Sequence, residues 1–214
     1  NQPLNWNTSS VTDTSQMFDT ATSFNQPLTF DTSSILDISA MFIRATNFNQ
    51  PLNWNTSSVI NMSLVFYSAT SFNQPLNWNT SSVTNMLQMF RQASNFDGSL
   101  TFSDTSSVIN MSQMFYRATS FNQPLNFDTS SVTNMSLMLR DATSFNQFLT
   151  WDTSSVTDMS LMFLGATSFN QDISSLSFVS VTNMNNFMLL KTANDYDANY
   201  LSDLLIKLDQ DLVF

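Results

Sequence analysis

Residues 72–86 read FNQPLNWNTSSVTNM, and nearly the same phrase stands at 48–62 and at 121–135. A phenylalanine opens each phrase and recurs every 24 or 25 residues along the chain. A fixed period of this length is typical of repeat proteins, in which each unit buries its apolar face against its neighbours. The recurring residues are Phe24, Phe48, Phe72, Phe96, Phe121, Phe145 and Phe169.

Two shorter periods lie inside each unit. The alternation in Pro75-Leu76-Asn77-Trp78 favours a brief strand. The spacing from Val59 to Phe72 favours a short helix with one apolar face. We therefore predict an α/β repeat solenoid over residues 1–190. It would be a curved, leucine-rich-repeat-like stack of about eight coils, with one parallel sheet of short strands plus short helices. The apolar residues of the helical pattern are Val59, Met62, Val65, Phe66, Ala69 and Phe72.

The last residues of the chain depart from the repeat. Apolar residues from Tyr200 to Leu208 follow helical spacing, and Asn194 or Asp195 would cap that helix. A helix at this place would cover the apolar end of the stack and its strand edge. We predict that residues 191–214 form a C-terminal capping helix region.

Composition narrows the possible functions. The net charge is −10, with six basic residues, so neither a nucleic-acid partner nor an anionic membrane surface is expected. The chain has no cysteine, no histidine and no glutamate, and no apolar run long enough for a membrane span. We find no constellation of residues for nucleophilic or acid–base catalysis, and we expect a protein without enzymatic activity, cofactor or metal.

Residues that occupy the same position in successive repeats form columns, and two kinds of column are explained by structure alone. The strand aromatics and the paired methionines fit a buried core better than a cofactor site. The asparagine that follows each opening phenylalanine is expected to bond to backbone groups of the next coil. These asparagines are Asn25, Asn49, Asn73, Asn122, Asn146 and Asn170.

The units FNQPLNWNTSSVTNM and MFYRATSFNQPL resemble the bacterial surface-protein repeat of about 26 residues, which is also known from Mycoplasma lipoproteins and is related to BspA-like leucine-rich repeats. The resemblance covers residues 1 to about 190, and the tail ANDYDANYLSDLL is similar to a segment that often ends such arrays. The coils here are shorter, and Thr8, Thr32 and Thr56 stand where valine is common. The resemblance implies an extracellular or cell-surface array used in adhesion or surface structure.

Three functions stay open for such an array. The first is binding of a protein or glycan by the outward residue of each strand, with weak contacts summed over the coils. The second is self-association through the solenoid ends into a filament or surface layer. The third is binding of ice or another crystalline surface by a threonine and serine array in the Thr-Ser-Ser segment. The outward residues are Asn5, Thr29, Asn53, Asn77, Thr101, Asn126 and Thr150, and the hydroxyl array is Thr8, Ser10, Thr32, Ser34, Thr56, Ser58, Thr80 and Ser82.

One column of Asn and Asp residues, at the predicted turns, could also bind calcium. Oxygen ligands from adjacent coils are the kind that a hard cation takes. Turn capping explains the same residues, because the column mixes Asn with Asp and lacks a glycine-rich calcium motif. The column contains Asn7, Asp31, Asn55, Asn79, Asp104, Asp128 and Asp152.

Overall fold

The fold is given by a computed structural model, which describes residues 2, 4, 6–189 and 196–212. Within these residues there is one helix, α1, over Ala198–Asp211, which is 14 residues long. Asp197 caps it by accepting a hydrogen bond from the N–H of Asn199. The helix thus falls in the segment where one was expected, but it starts after Asn194 and Asp195, the expected caps, which lie outside the described residues.

The prediction of a parallel sheet of short strands is wrong. The described residues contain isolated parallel bridges between successive repeats and no extended strand. Leu76 pairs with Leu100, and a second column of bridges runs from Asp13 to Asn183. The proline in Asn-Gln-Pro-Leu has no N–H to donate, so the predicted strand loses a ladder bond at its entry.

The predicted short helices are also absent from the repeats. The N–H of Tyr67 bonds to the carbonyl of Leu64, three residues back, but the N–H of Leu64 and that of Phe66 bond to the next repeat. Leu64 and Ser68 have φ values of 60° and 55°, and an α-helix cannot contain such residues. The segment is therefore a series of turns, in which alternate N–H groups leave the repeat. The leucine-rich-repeat-like architecture of strands and helices does not fit this structure.

The repeats are nevertheless joined to one another at a regular spacing. Around Phe42 and Phe66, four backbone N–H groups of one repeat donate to carbonyls of the next, at 2.8–3.3 Å. The same pattern recurs along the described repeats. The four bonds run from Ile38 to Asn61, Ala40 to Ser63, Phe42 to Val65, and Arg44 to Tyr67.

Aromatic columns fill the space inside the repeats. Phe42 and Phe66 stack with ring centroids 5.6 Å apart, and Phe48 and Phe72 at 6.1 Å. Every member of the predicted apolar set from Val59 to Phe72 is completely buried. The burial pattern read from the sequence is thus confirmed, although the backbone that produces it is a series of turns.

Candidate functional site

The predicted outward residues form a line of exposed polar side chains. In the segment around Asn77, Leu76 and Trp78 point into the core, so the side chain between them faces solvent. The same alternation holds on both sides of Asn53 and Asn126. Asn5 lies outside the described residues. We call the six described members the polar strip: Thr29, Asn53, Asn77, Thr101, Asn126 and Thr150, all exposed.

The hydroxyl array predicted in the Thr-Ser-Ser segment does not lie on one face. Thr8, Thr32, Thr56 and Thr80 are buried. The Thr56 hydroxyl donates to the carbonyl of Asn79 in the next repeat at 2.8 Å, and Thr80 donates likewise to Asp104. These hydroxyls therefore join repeats from the inside.

The second serine of the segment is bonded in the opposite direction. The hydroxyls of Ser34, Ser58 and Ser82 donate to serine carbonyls of the preceding repeat at 3.0–3.1 Å. Ser10 is exposed. The Thr-Ser-Ser segment is thus a turn whose hydroxyls are largely used between repeats.

The Asn and Asp turn column acts as a set of turn caps. The side-chain oxygen of Asn79 accepts the N–H of Ser81 at 3.0 Å, and Asp152 accepts the N–H of Ser154 at 2.9 Å. Hydrogen bonds from the Ser33 hydroxyl and N–H lower the pKa of Asp31. The described residues contain no group of three or more acidic side chains arranged to hold a metal ion.

The asparagines that follow the opening phenylalanines form a ladder, as predicted. The Oδ1 atom of Asn25 accepts the N–H of Asn49 at 2.9 Å, and Asn49 in turn accepts the N–H of Asn73 at 2.9 Å. The glutamine next in sequence joins in, since Gln50 Nε2 donates to Asn25 Oδ1 at 3.1 Å. These amides satisfy the backbone of the neighbouring repeat.

Sequence reasoning missed a column of arginine and tyrosine. Four successive repeats have Tyr67, Arg91, Tyr116 and Arg140 at the same position, directly after a buried apolar pair such as Val65-Phe66. The Arg91 guanidinium carbon lies 5.4 Å from the Tyr67 ring centroid and 4.9 Å from that of Tyr116. Arg140 lies 5.2 Å from the Tyr116 ring. We call these four residues the arginine–tyrosine ladder; reading the sequence in columns of 24 or 25 residues would have found it.

Arg117 stands beside this ladder. Its guanidinium carbon lies 5.1 Å from the Tyr116 ring centroid, and its Nε bonds to Asp141 Oδ2 at 3.4 Å. Asp141 also lies 3.6 Å from Arg140 Nε. Three guanidinium groups thus surround one buried tyrosine ring, and two of them, those of Arg117 and Arg140, share one carboxylate.

The described part of the chain forms no pocket. Within it, no helix has both the length and the apolar character that crossing a membrane requires. Any ligand of the described surfaces therefore meets open columns of side chains.

Comparison with known proteins gives a family match. The profile of the family described as "Mycoplasma protein of unknown function, DUF285" matches residues 1–102, 52–127, 76–149 and 98–203. The overlapping matches agree with a chain made of repeats of one kind. No curated protein and no solved structure matches the chain.

Proposed function

The chain belongs to the family of Mycoplasma proteins of unknown function, DUF285, and from this premise we propose that it is a non-catalytic binding module of a cell-surface or secreted protein. The module holds a protein or glycan through the polar strip. The resemblance of its phrases to surface-protein repeats supports the location. The exposure of all six strip residues supports the binding face.

The polar strip has the chemistry of a hydrogen-bonding surface. Among the described residues its six side chains make no hydrogen bond to the protein, so their amides and hydroxyls are free to bond to a partner. The Leu and aromatic residues on either side of each strip residue are buried, except at Thr101, where both neighbours are partly buried, and this packing fixes the direction of the strip side chains. Contacts that are weak in one repeat add up when the partner spans several repeats.

The first experiment adds charge and bulk to the strip. We expect the triple variant N53K/N77K/N126K to lose binding to extracellular-matrix proteins or glycans immobilised at high density, because three lysines replace neutral donors and acceptors. Binding is measured by biolayer interferometry. Wild-type chain and variant are compared for thermal unfolding to show that both are folded.

The matched control places the same charge on another face. Asn95, Ser120 and Ser144 are exposed residues that each directly precede an opening phenylalanine, and N95K/S120K/S144K changes the net charge by the same amount. We expect the control to bind as the wild type does. Equal losses in both triple variants, or no matrix ligand bound by the wild type, would count against the polar strip.

A further inference from the structure

The arginine–tyrosine ladder concentrates positive charge in an acidic chain. The net charge is −10, and three of its six basic residues surround Tyr116. Asp141 is the carboxylate within ion-pair distance of Arg117 and Arg140, and within the described residues none lies so close to Arg91. Since surface charges are screened beyond about 8 Å in physiological salt, this local excess acts on a nearby ligand despite the net negative charge.

The ladder also carries features that destabilise a fold. Like charges are brought together, and the Nε atoms of Arg91 and Arg140 are buried without a hydrogen-bond partner among the described residues. Stacking on Tyr116 offsets part of this cost. Local conflicts of this kind are expected where a surface serves a function.

The surroundings of the ladder are polar. Its neighbours in the adjoining column are Ser68, Gln92 and Arg117, and Ser68 donates to Gln92 at 3.0 Å. The exposed apolar residues Leu36, Ile60 and Ile109 belong to a different column. A peptide partner usually needs an apolar anchor in a pocket, and the described surface has no pocket.

We propose that the arginine–tyrosine ladder, together with Arg117, binds a polyanionic glycan. Sulfate or carboxylate groups spaced along the sugar chain pair with guanidinium groups that recur from repeat to repeat. The amide of Gln92 and the hydroxyl of Ser68 lie beside these groups, where sugar hydroxyls accept and donate hydrogen bonds. This site shares no residue with the polar strip, and its guanidinium groups favour a charged glycan, whereas the side chains of the strip are neutral.

The test uses a heparin-derived octasaccharide and the variant R117Q. Arg117 is 52% exposed, and glutamine already occupies the equivalent position at Gln92, where φ is 59° as at Arg117. We expect the variant to remain folded and its Kd for the octasaccharide to rise roughly tenfold, because one charge-assisted contact is lost. The slope of log K against log salt should fall by about one. Calorimetry over a salt series measures both.

Arg44 supplies the matched control. It occupies the same column as Arg117, is 55% exposed, and pairs with Asp19 at 3.4 Å as Arg117 pairs with Asp141. R44Q removes the same charge three repeats away from Tyr116. We expect R44Q to bind the octasaccharide as the wild type does.

The competing partners are tested with the same wild-type chain. Neutral dextran, a polyglutamate peptide, and vesicles of phosphatidylcholine and phosphatidylserine are the probes. The proposal is supported if the octasaccharide binds more tightly than all three. It is overturned if R117Q and R44Q weaken binding equally, if dextran binds as well, or if the peptide or the vesicles bind more tightly. The triple variant N53K/N77K/N126K does not touch the ladder, so failure of the polar strip and failure of this site are distinguishable.

Discussion

The hydrogen bonds of single side chains explain why particular residue types recur at fixed positions in this chain. Threonine stands at the first position of the Thr-Ser-Ser segment, and its hydroxyl donates to a carbonyl of the next repeat. The asparagine ladder was predicted because an amide carries both donor and acceptor groups at a recurring turn. The direction of the threonine hydroxyl was not predicted, because the sequence does not distinguish a buried threonine from one that faces solvent.

The contribution of the threonine hydroxyl to stability can be measured at Thr129. It is buried, and its hydroxyl donates to the carbonyl of Asp152 at 2.7 Å. We expect T129V to lower the free energy of unfolding by about 1–2 kcal/mol, because the carbonyl loses its partner while the volume is kept. Urea unfolding measures the change. The control T101V alters an exposed threonine and should stay within about 0.5 kcal/mol; a T129V effect equally small would contradict this role.

At the scale of elements, the sequence showed which residues are buried but not the form of the backbone. Spacings of three and one fit both a helix and a series of turns, since each brings Val65, Phe66 and Ala69 to one side. The deciding fact is that alternate N–H groups bond to a residue about 23 positions away. No local propensity carries that information. The terminal helix α1 has no such partner repeat, and there the helical spacing gave the correct element.

Helix α1 is attached to the repeats through specific bonds. Asp211 Oδ2 accepts the N–H of Phe178 at 2.9 Å, and the Tyr196 hydroxyl donates to the carbonyl of Gln171 at 2.7 Å. We expect D211A to increase hydrogen exchange throughout α1 and at the amide of Phe178, because that amide loses its acceptor. The exposed Asp209 gives the control D209A, which should leave exchange unchanged. Identical exchange in the two variants would show that this bond does not hold the helix.

The whole molecule is a stack of repeats joined by backbone bonds, side-chain ladders and aromatic columns. Its period and its buried columns were predictable, because the spacing of Phe, Met, Val and Ala along the sequence indicates both. The arginine–tyrosine ladder was not predicted, because it depends on comparing positions 24 or 25 residues apart. Neutral Asn and Thr dominate the repeated phrase, while the arginines stand outside it, in the segments between successive phrases.

Acid should destabilise the molecule through its turn caps. Hydrogen bonds from neighbouring serines lower the pKa values of Asp31, Asp104 and Asp152 below 3.8, the ordinary value expected in the unfolded chain. The stability that they contribute is fully present above that value. It is lost as the pH falls through their folded-state pKa values, because the unfolded chain takes up protons first.

Asparagine at these positions should remove that dependence. Asn55 and Asn79 already accept the same serine N–H in their own repeats. We expect D31N/D104N/D152N to unfold at a similar urea concentration to the wild type near neutral pH, and to lose less stability between about pH 5 and about pH 2. The control D19N/D203N/D209N removes as many carboxylates, and none of these three accepts a backbone N–H from the residues that the structure describes. If its acid dependence falls equally, overall charge and not capping is responsible.

The backbone hydrogen bonds between repeats also give the stack a net dipole along its axis. Around Phe42, four backbone N–H groups point toward the C-terminal neighbour, and two bonds, from Ile60 and Ser71, point back. Aligned peptide dipoles of this kind add up, as they do in an α-helix, and here the partial positive charge lies at the C-terminal end. The carboxylate of Asp211 meets the N–H of Phe178 at that end, and this bond lowers its pKa. Asp211 is therefore a counter-charge to the stack's own dipole, in the way that an acidic residue serves the first turn of a helix.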